Sequence, residues 1–244
     1  MPTDHGHVWK SASLVKKFLT GVRGAVPLAA EQIDVMMRLI AARGQPPRRF
    51  LDLGCGDGIL SEPILGIYPS ASATLLDLSE PMLDAARQRL AAFDKRVRYL
   101  SADYGHDGWT GALGGGHFDL VVSGFSIHHQ PDHRKQSIYR TIYQLLDPGG
   151  LFVNIEHVSS PTQWIEKVHD EYFIDSLCAS HRDGSERPRD EIAGEYYHRD
   201  DKKDNILAPV EKQLQWLREY GYSDVDCYLK IFELAVFGGR RGRD

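Results

Sequence analysis

Phe50-Leu51-Asp52-Leu53-Gly54-Cys55-Gly56-Asp57-Gly58 is the stretch that decides how this chain folds. Apolar residues run into a turn carrying three alternating glycines, and Ile59, Leu60 and Leu65 follow in a helix-compatible segment. Glycine lets a backbone turn tightly and approach a ligand with no side chain in the way. A strand that ends in such a turn and opens a helix directs backbone N–H groups at whatever occupies the crevice. The spacing narrows the occupant. Dinucleotide fingerprints read G-x-G-x-x-G around a pyrophosphate. Here the pattern is G-x-G-x-G, and a carboxylate, Asp52, stands two residues before the first glycine. That charge repels a pyrophosphate and suits a cofactor carrying an ammonium group.

Further strands follow in order. Residues 74–79 read as a second strand ending in an acid, Asp77, with Leu78 after it. An acid roughly 20 residues beyond the last glycine suits a carboxylate that accepts ribose hydroxyls. Residues 97–104 read as a third strand ending in Asp103 and Tyr104, and residues 118–123 as a fourth ending in Ser123. A helix, a Pro148-Gly149-Gly150 turn and a fifth strand over 151–155 come next. Residues 222–228 and 231–237 alternate as an antiparallel hairpin. Strands alternating with helices predict an α/β sheet that is mostly parallel.

This series over residues 50–157, beginning with hhD-x-G-x-G-x-G, resembles the class I S-adenosylmethionine (SAM)-dependent methyltransferases. The resemblance implies a doubly wound, seven-stranded Rossmann-like α/β sheet of order 3-2-1-4-5-7-6 with the last strand antiparallel and a helical cap. It implies SAM as cofactor, held by Asp52, Gly54, Cys55, Gly56 and Gly58, with Asp77 and Leu78 at the ribose. Met82, Asp103 and Tyr104 then meet the adenine, Ser123 flanks the methionine part, and Arg23 reaches in from an N-terminal arm. The implied reaction is methyl transfer to O, N or C of a small-molecule acceptor. Two alternatives stay open: a carboxy-SAM-dependent enzyme modifying tRNA uridine, and a SAM-binding module without catalysis.

Composition fits this reading. The 244 residues are 42% hydrophobic and 26% charged, as expected for one α/β domain with an elaborated cap. The division expected is an N-terminal helical arm or lid, 1–45, and a methyltransferase domain, 46–244, with a cap insertion at 158–209. No run approaches the ~18 apolar residues of a membrane span. Three cysteines and a polar start predict reduced thiols in a cytoplasm. The net charge of −5 gives no general attraction to nucleic-acid phosphates. The partner expected is therefore a small molecule rather than nucleic acid or membrane; oligomeric state, a dimer included, stays open.

Candidate chemistry gathers past the fourth and fifth strands, because ligands of open α/β sheets bind outside the strands' carboxyl ends. His128, His129 and His157 lie there, with Glu156 as orienter or alternative base, and histidine titrates near enough to neutrality to serve as a general base. Their spacing matches no zinc motif such as H-E-x-x-H, so no metal is expected. Helices are expected at 11–18 and 31–42, with Trp9 and Phe18 folding over the cofactor. In the cap, Ser160-Pro161-Thr162-Gln163 reads as a capping box opening a helix whose apolar face is Trp164, Ile165, Val168, Tyr172 and Phe173. Trp164, Tyr172, Tyr197, His198 and Arg199 are the candidate substrate contacts, Arg199 being suited to a carboxylate.

Overall fold

The computed structural model describes residues 7–180 and 187–243, without the side chains of His7, Arg23, Asp200 and Asp201. The expected contact of Arg23 with cofactor lies outside the described residues. The sheet contains β1 (Arg49–Leu53), β2 (Ser72–Asp77), β3 (Val97–Ser101), β4 (Phe118–Gly124), β5 (Leu146–His157), β6 (Tyr222–Ile231) and β7 (Leu234–Arg241). Its order is β3-β2-β1-β4-β5-β7-β6. The first five strands pair in parallel, and β7 runs antiparallel to both β5 and β6. This is the arrangement the resemblance implied.

The helices are α1 (Ala12–Thr20), α2 (Ala29–Ala42), α3 (Ser61–Ile67), α4 (Glu80–Arg89), α5 (Asp132–Leu145), α6 (Gln163–Ser180), α7 (Arg189–Tyr197) and α8 (Val210–Glu219). Adjacent residues of β1 point to opposite faces, as the two-residue period of a strand requires. Phe50 joins Met36 and Ile40 of α2, Ile64 and Leu65 of α3, and Leu83 and Ala86 of α4. Leu51 and Leu53 join Ile138, Tyr139 and Ile142 of α5 with Leu214 and Leu217 of α8. A third cluster binds the cap to the arm: Phe173, Ile174 and Leu177 of α6 and Ile192 and Tyr196 of α7 close on Ala25.

The structure corrects several local expectations. The third strand stops at Ser101, so Asp103 and Tyr104 lie on the loop beyond it. The Pro148-Gly149-Gly150 turn is a bulge within β5, across which the pairing with β4 jumps from Phe118↔Leu146 to Leu120↔Leu151. The closing hairpin is longer than expected and turns at Phe232 and Glu233. On α6 the cap is Thr162, whose Oγ1 accepts the Ile165 N–H at 3.3 Å, not Ser160. The buried face of that helix is His169, Phe173, Ile174 and Leu177, while Trp164 is 72% exposed.

Candidate active site

One cavity opens at the carboxyl ends of β1, β2, β4 and β5, roofed by the N-terminal arm and the cap. Its floor is the glycine turn. Gly54 sits at φ +67°, and a Cβ there would lie 1.8 Å from Ser126 Oγ, so only glycine lets the 123–126 segment pass this close. The Gly54 and Cys55 N–H groups both donate to the Leu76 carbonyl, at 2.8 and 3.1 Å, which ties the turn to β2. Gly58 packs instead of lining the cavity: a Cβ there would lie 2.9 Å from Leu90 Cδ1.

Two acids frame the turn. Asp52 Oδ2 accepts the Ser61 hydroxyl at 2.7 Å, anchoring α3 to the end of β1. Asp77 accepts the Gly56 N–H on Oδ2 and the Ser79 N–H on Oδ1, each at 2.8 Å. Burial nevertheless pushes the Asp77 carboxyl up to about 6, against the lowering pull of those amides. Ser79 caps α4 through Met82 N–H and donates its hydroxyl to the Trp9 carbonyl at 2.5 Å. The arm is therefore fastened to the helix start beside Asp77.

Of the expected cofactor residues, Asp52, Gly54, Cys55, Gly56, Asp77, Leu78, Met82 and Tyr104 line the cavity. Tyr104 hydrogen-bonds Ser126 at 2.5 Å, and burial holds its phenol well above the usual range. Asp103 and Ser123 do not line it. The Asp103 carboxylate accepts the Gly105 N–H at 2.7 Å and pairs with His106. Ser123 donates to the Leu53 carbonyl at 2.7 Å, which locks β4 to β1 within the sheet. Gly124, Phe125 and Ser126 supply the wall assigned to Ser123, with Phe125 held at φ +47°.

The three histidines all reach the cavity, in different states. His128 Nδ1 lies 2.6 Å from Glu156 Oε1, and its backbone N–H donates to Oε2 at 3.1 Å. Glu156 is completely buried at the end of β5, and burial raises its carboxyl to about 7. In its ionised form this carboxylate, facing Nδ1, selects the tautomer protonated there and puts the basic lone pair on Nε2. His129 is committed at both nitrogens: Trp9 Nε1–H donates to Nε2 at 3.1 Å, and Nδ1 donates to the Asp204 carbonyl at 3.3 Å. Burial drives its titration down to about 3, so it is neutral. The lone pair expected to take a proton from substrate is occupied, and His129 acts as a strut between arm and cap. His157 Nε2 pairs with Glu233 at 2.8 Å.

The expected substrate contacts fare unevenly. Only Arg199 lines the cavity, its guanidinium 5.9 Å from the centre of the Tyr196 ring. Trp164 and Tyr197 face outward, Tyr172 packs edge-on against Phe232, and His198 hydrogen-bonds the Gly194 carbonyl. Their places are taken by His169, Phe173, Tyr196 and Lys202. For α6 the missed signal was the four-residue spacing of His169, Phe173 and Leu177, a competing helical face with one polar member. Glu233 had one too, being an acid just before the apolar run of β7.

Comparison with known proteins agrees with the fold. Residues 50–150 match the family model described as a methyltransferase domain. A carboxy-S-adenosyl-L-methionine synthase from Trichodesmium erythraeum is 24% identical over 93% of this chain and 86% of its own. A ubiquinone/menaquinone biosynthesis C-methyltransferase from Dinoroseobacter shibae is 31% identical over 59% of this chain, which spans about half of it (55%). Magnesium protoporphyrin IX methyltransferase from Synechocystis, solved with bound SAH, superposes with a TM-score of 0.56 at 16% identity, over 87% of this chain and 83% of that one. The chain thus carries a methyltransferase domain of the class I SAM-dependent type. It is an enzyme of that class, its cofactor is SAM, and its sheet is the Rossmann-like methyltransferase sheet. Among the described residues no helix is long and apolar enough to cross a membrane.

Proposed function

We propose that the protein transfers the SAM methyl group to a proton-bearing O, N or C of a small-molecule acceptor, with His128 as general base. The observation that carries this is the buried His128–Glu156 pair, at 2.6 Å, on the cavity wall beyond β4 and β5. SAM supplies the electrophilic methyl on its sulfonium. In this reading Asp77 accepts the ribose hydroxyls, Leu78, Met82 and Tyr104 border the adenosine, and the glycine turn receives the methionine part. Glu156 holds the His128 ring and balances the imidazolium formed when Nε2 takes the acceptor's proton. His129 braces the lid. The arm, residues 1–45, closes over SAM through Trp9 and Phe18, both of which line the cavity.

The test is a screen for demethylated cofactor formed with acceptor panels by the wild type, then the same reaction with His128→Asn. The variant is expected to bind SAM normally and lose about 100-fold or more in turnover, within the usual contribution of a general base. Equal turnover by the variant removes His128 from the mechanism. A second reading draws support from Arg199 on the cavity wall and from the carboxy-SAM synthase relative. In it, the cofactor that reacts or is made carries a carboxylate that Arg199 receives. Titration with SAM and carboxy-SAM separates the two, since tighter binding of carboxy-SAM, lost in Arg199→Met, favours the second.

A further inference from the structure

Three separate elements bring metal-ligating side chains to one point of the cap side. His157 ends β5, His169 lies in the second turn of α6, and Glu233 occupies the β6–β7 turn. One ligand atom from each lies within 4.8 Å of the others. We propose that His157, His169 and Glu233 form a divalent-metal site of the zinc type, with a coordination position open to the cavity for an oxygen of the acceptor. The acceptor clause rests on the methyl-transfer reading; the metal site does not.

His169 is the residue that calls for an explanation. Its side chain is 1% exposed, Nδ1 has no hydrogen-bond partner among the described residues, and Nε2 stands 3.8 Å from Glu233 Oε2, beyond hydrogen-bonding reach. A buried polar group left this way costs roughly 1–3 kcal/mol. The helix face continues with Phe173 and Leu177, which fill the same kind of space at no such cost.

The distances suit an ion. Zinc bonds of about 2.0–2.2 Å in tetrahedral geometry separate neighbouring ligand atoms by roughly 3.3–3.6 Å. The observed Oε2 separations, 2.8 Å to His157 and 3.8 Å to His169, lie on either side of that range. Replacing the proton between His157 and Glu233 by a cation therefore needs only small shifts of two side chains. Two neutral imidazoles and one carboxylate leave a site of charge −1. The Ser160 N–H, 3.2 Å from Glu233 Oε1, orients the carboxylate as an outer-shell donor. The neighbouring ammonium of Lys202 is compensated by Asp170 at 3.3 Å. His157 and His169 line the cavity, so a fourth ligand arrives from that side. Three protein ligands and an open position are the arrangement of catalytic rather than structural zinc.

The experiment uses the full chain stripped of metal and titrated with Co²⁺ by visible absorption and Zn²⁺ by calorimetry, beside His169→Phe and Glu233→Gln. SAM binding is measured on each sample as the control for folding. One ion per wild-type chain, with the intense ligand-field bands of low-coordinate Co²⁺, is expected. Affinity should fall at least about tenfold in both variants, while SAM binding persists. No stoichiometric ion in the wild type overturns the site and leaves His157–Glu233 a plain ion pair beside a packed His169. Binding undiminished in both variants places the ion elsewhere and overturns it equally. If one variant loses SAM binding through misfolding, the wild-type spectrum and the other variant decide. Failure of the wild type to bind SAM would refute the methyl-transfer reading alone.

Discussion

Asp77→Asn tests the centre of the proposed cofactor site because it moves stability and binding in separable ways. Burial raises the Asp77 carboxyl from 3.8 to about 6. An acid whose folded value is raised destabilises the native state once it is charged. The penalty is full above pH 6 and is relieved as pH falls from about 6 towards 3.8. Two units amount to about 3 kcal/mol. Asparagine removes that penalty but turns an NH₂ towards either the Gly56 or the Ser79 N–H, leaving one donor unsatisfied at about 1–3 kcal/mol. The melting temperature at pH 8 should therefore change by only a few degrees. Binding should not be spared. Two ribose hydroxyls donating to a carboxylate contribute about 1.5–3 kcal/mol each, and the amide retains about half of this. A loss of about 1.5–3 kcal/mol weakens SAM binding by roughly 10- to 150-fold. The assay is calorimetric titration with SAM from pH 5 to 8. Wild-type affinity should fall as pH drops through 6, and the variant should be weak and nearly independent of pH. Affinity within about threefold of wild type, with the melting temperature preserved, would refute the placement of the ribose.

Two further perturbations test the floor and the lid. Gly54→Ala puts a Cβ 1.8 Å from Ser126 Oγ and 2.5 Å from Ser126 Cβ at φ +67°. It should lower stability by at least about 3 kcal/mol, read by thermal melting, and Ser126→Gly in the same chain should recover part of the loss. An unchanged melting temperature would mean that the turn has slack the geometry denies. Trp9→Phe keeps a ring against Phe18 but deletes the indole N–H donated to His129 Nε2. Dissociation of SAM, followed by stopped flow, should accelerate about tenfold as roughly 1–3 kcal/mol of arm closure is lost. An unaltered off-rate would detach the arm from cofactor retention.

The parts of this protein that were legible in the sequence are those whose physics is local. The turn from Asp52 to Gly58 carries its own signal, because positive φ at Gly54, Gly56 and Gly58 restricts the residues that fit. The succession of strands along the chain shows in apolar runs ending in acids, their order in the sheet was implied by the family resemblance, and Ser79 with Pro81 announces the start of α4. Side-chain partnerships were not legible. His128 and His129 are chain neighbours of the same type. One meets Glu156, 28 residues away, and the other is clamped between Trp9, 120 residues away, and Asp204, 75 residues away. Ser123 lies within β4 and Ser126 two residues beyond its end, past Phe125 at φ +47°, and of the two only Ser126 lines the cavity. On α6, two apolar faces competed on paper. Packing against Ala25, Ile192 and Tyr196 chose the one containing His169 and left Trp164 in solvent. The sequence by itself determined the Rossmann-like sheet and the SAM turn, because strand period and turn chemistry act within a few residues. The tertiary structure decided which histidine meets a buried carboxylate and which is held at both nitrogens, since that depends on groups brought together only when arm, sheet and cap close.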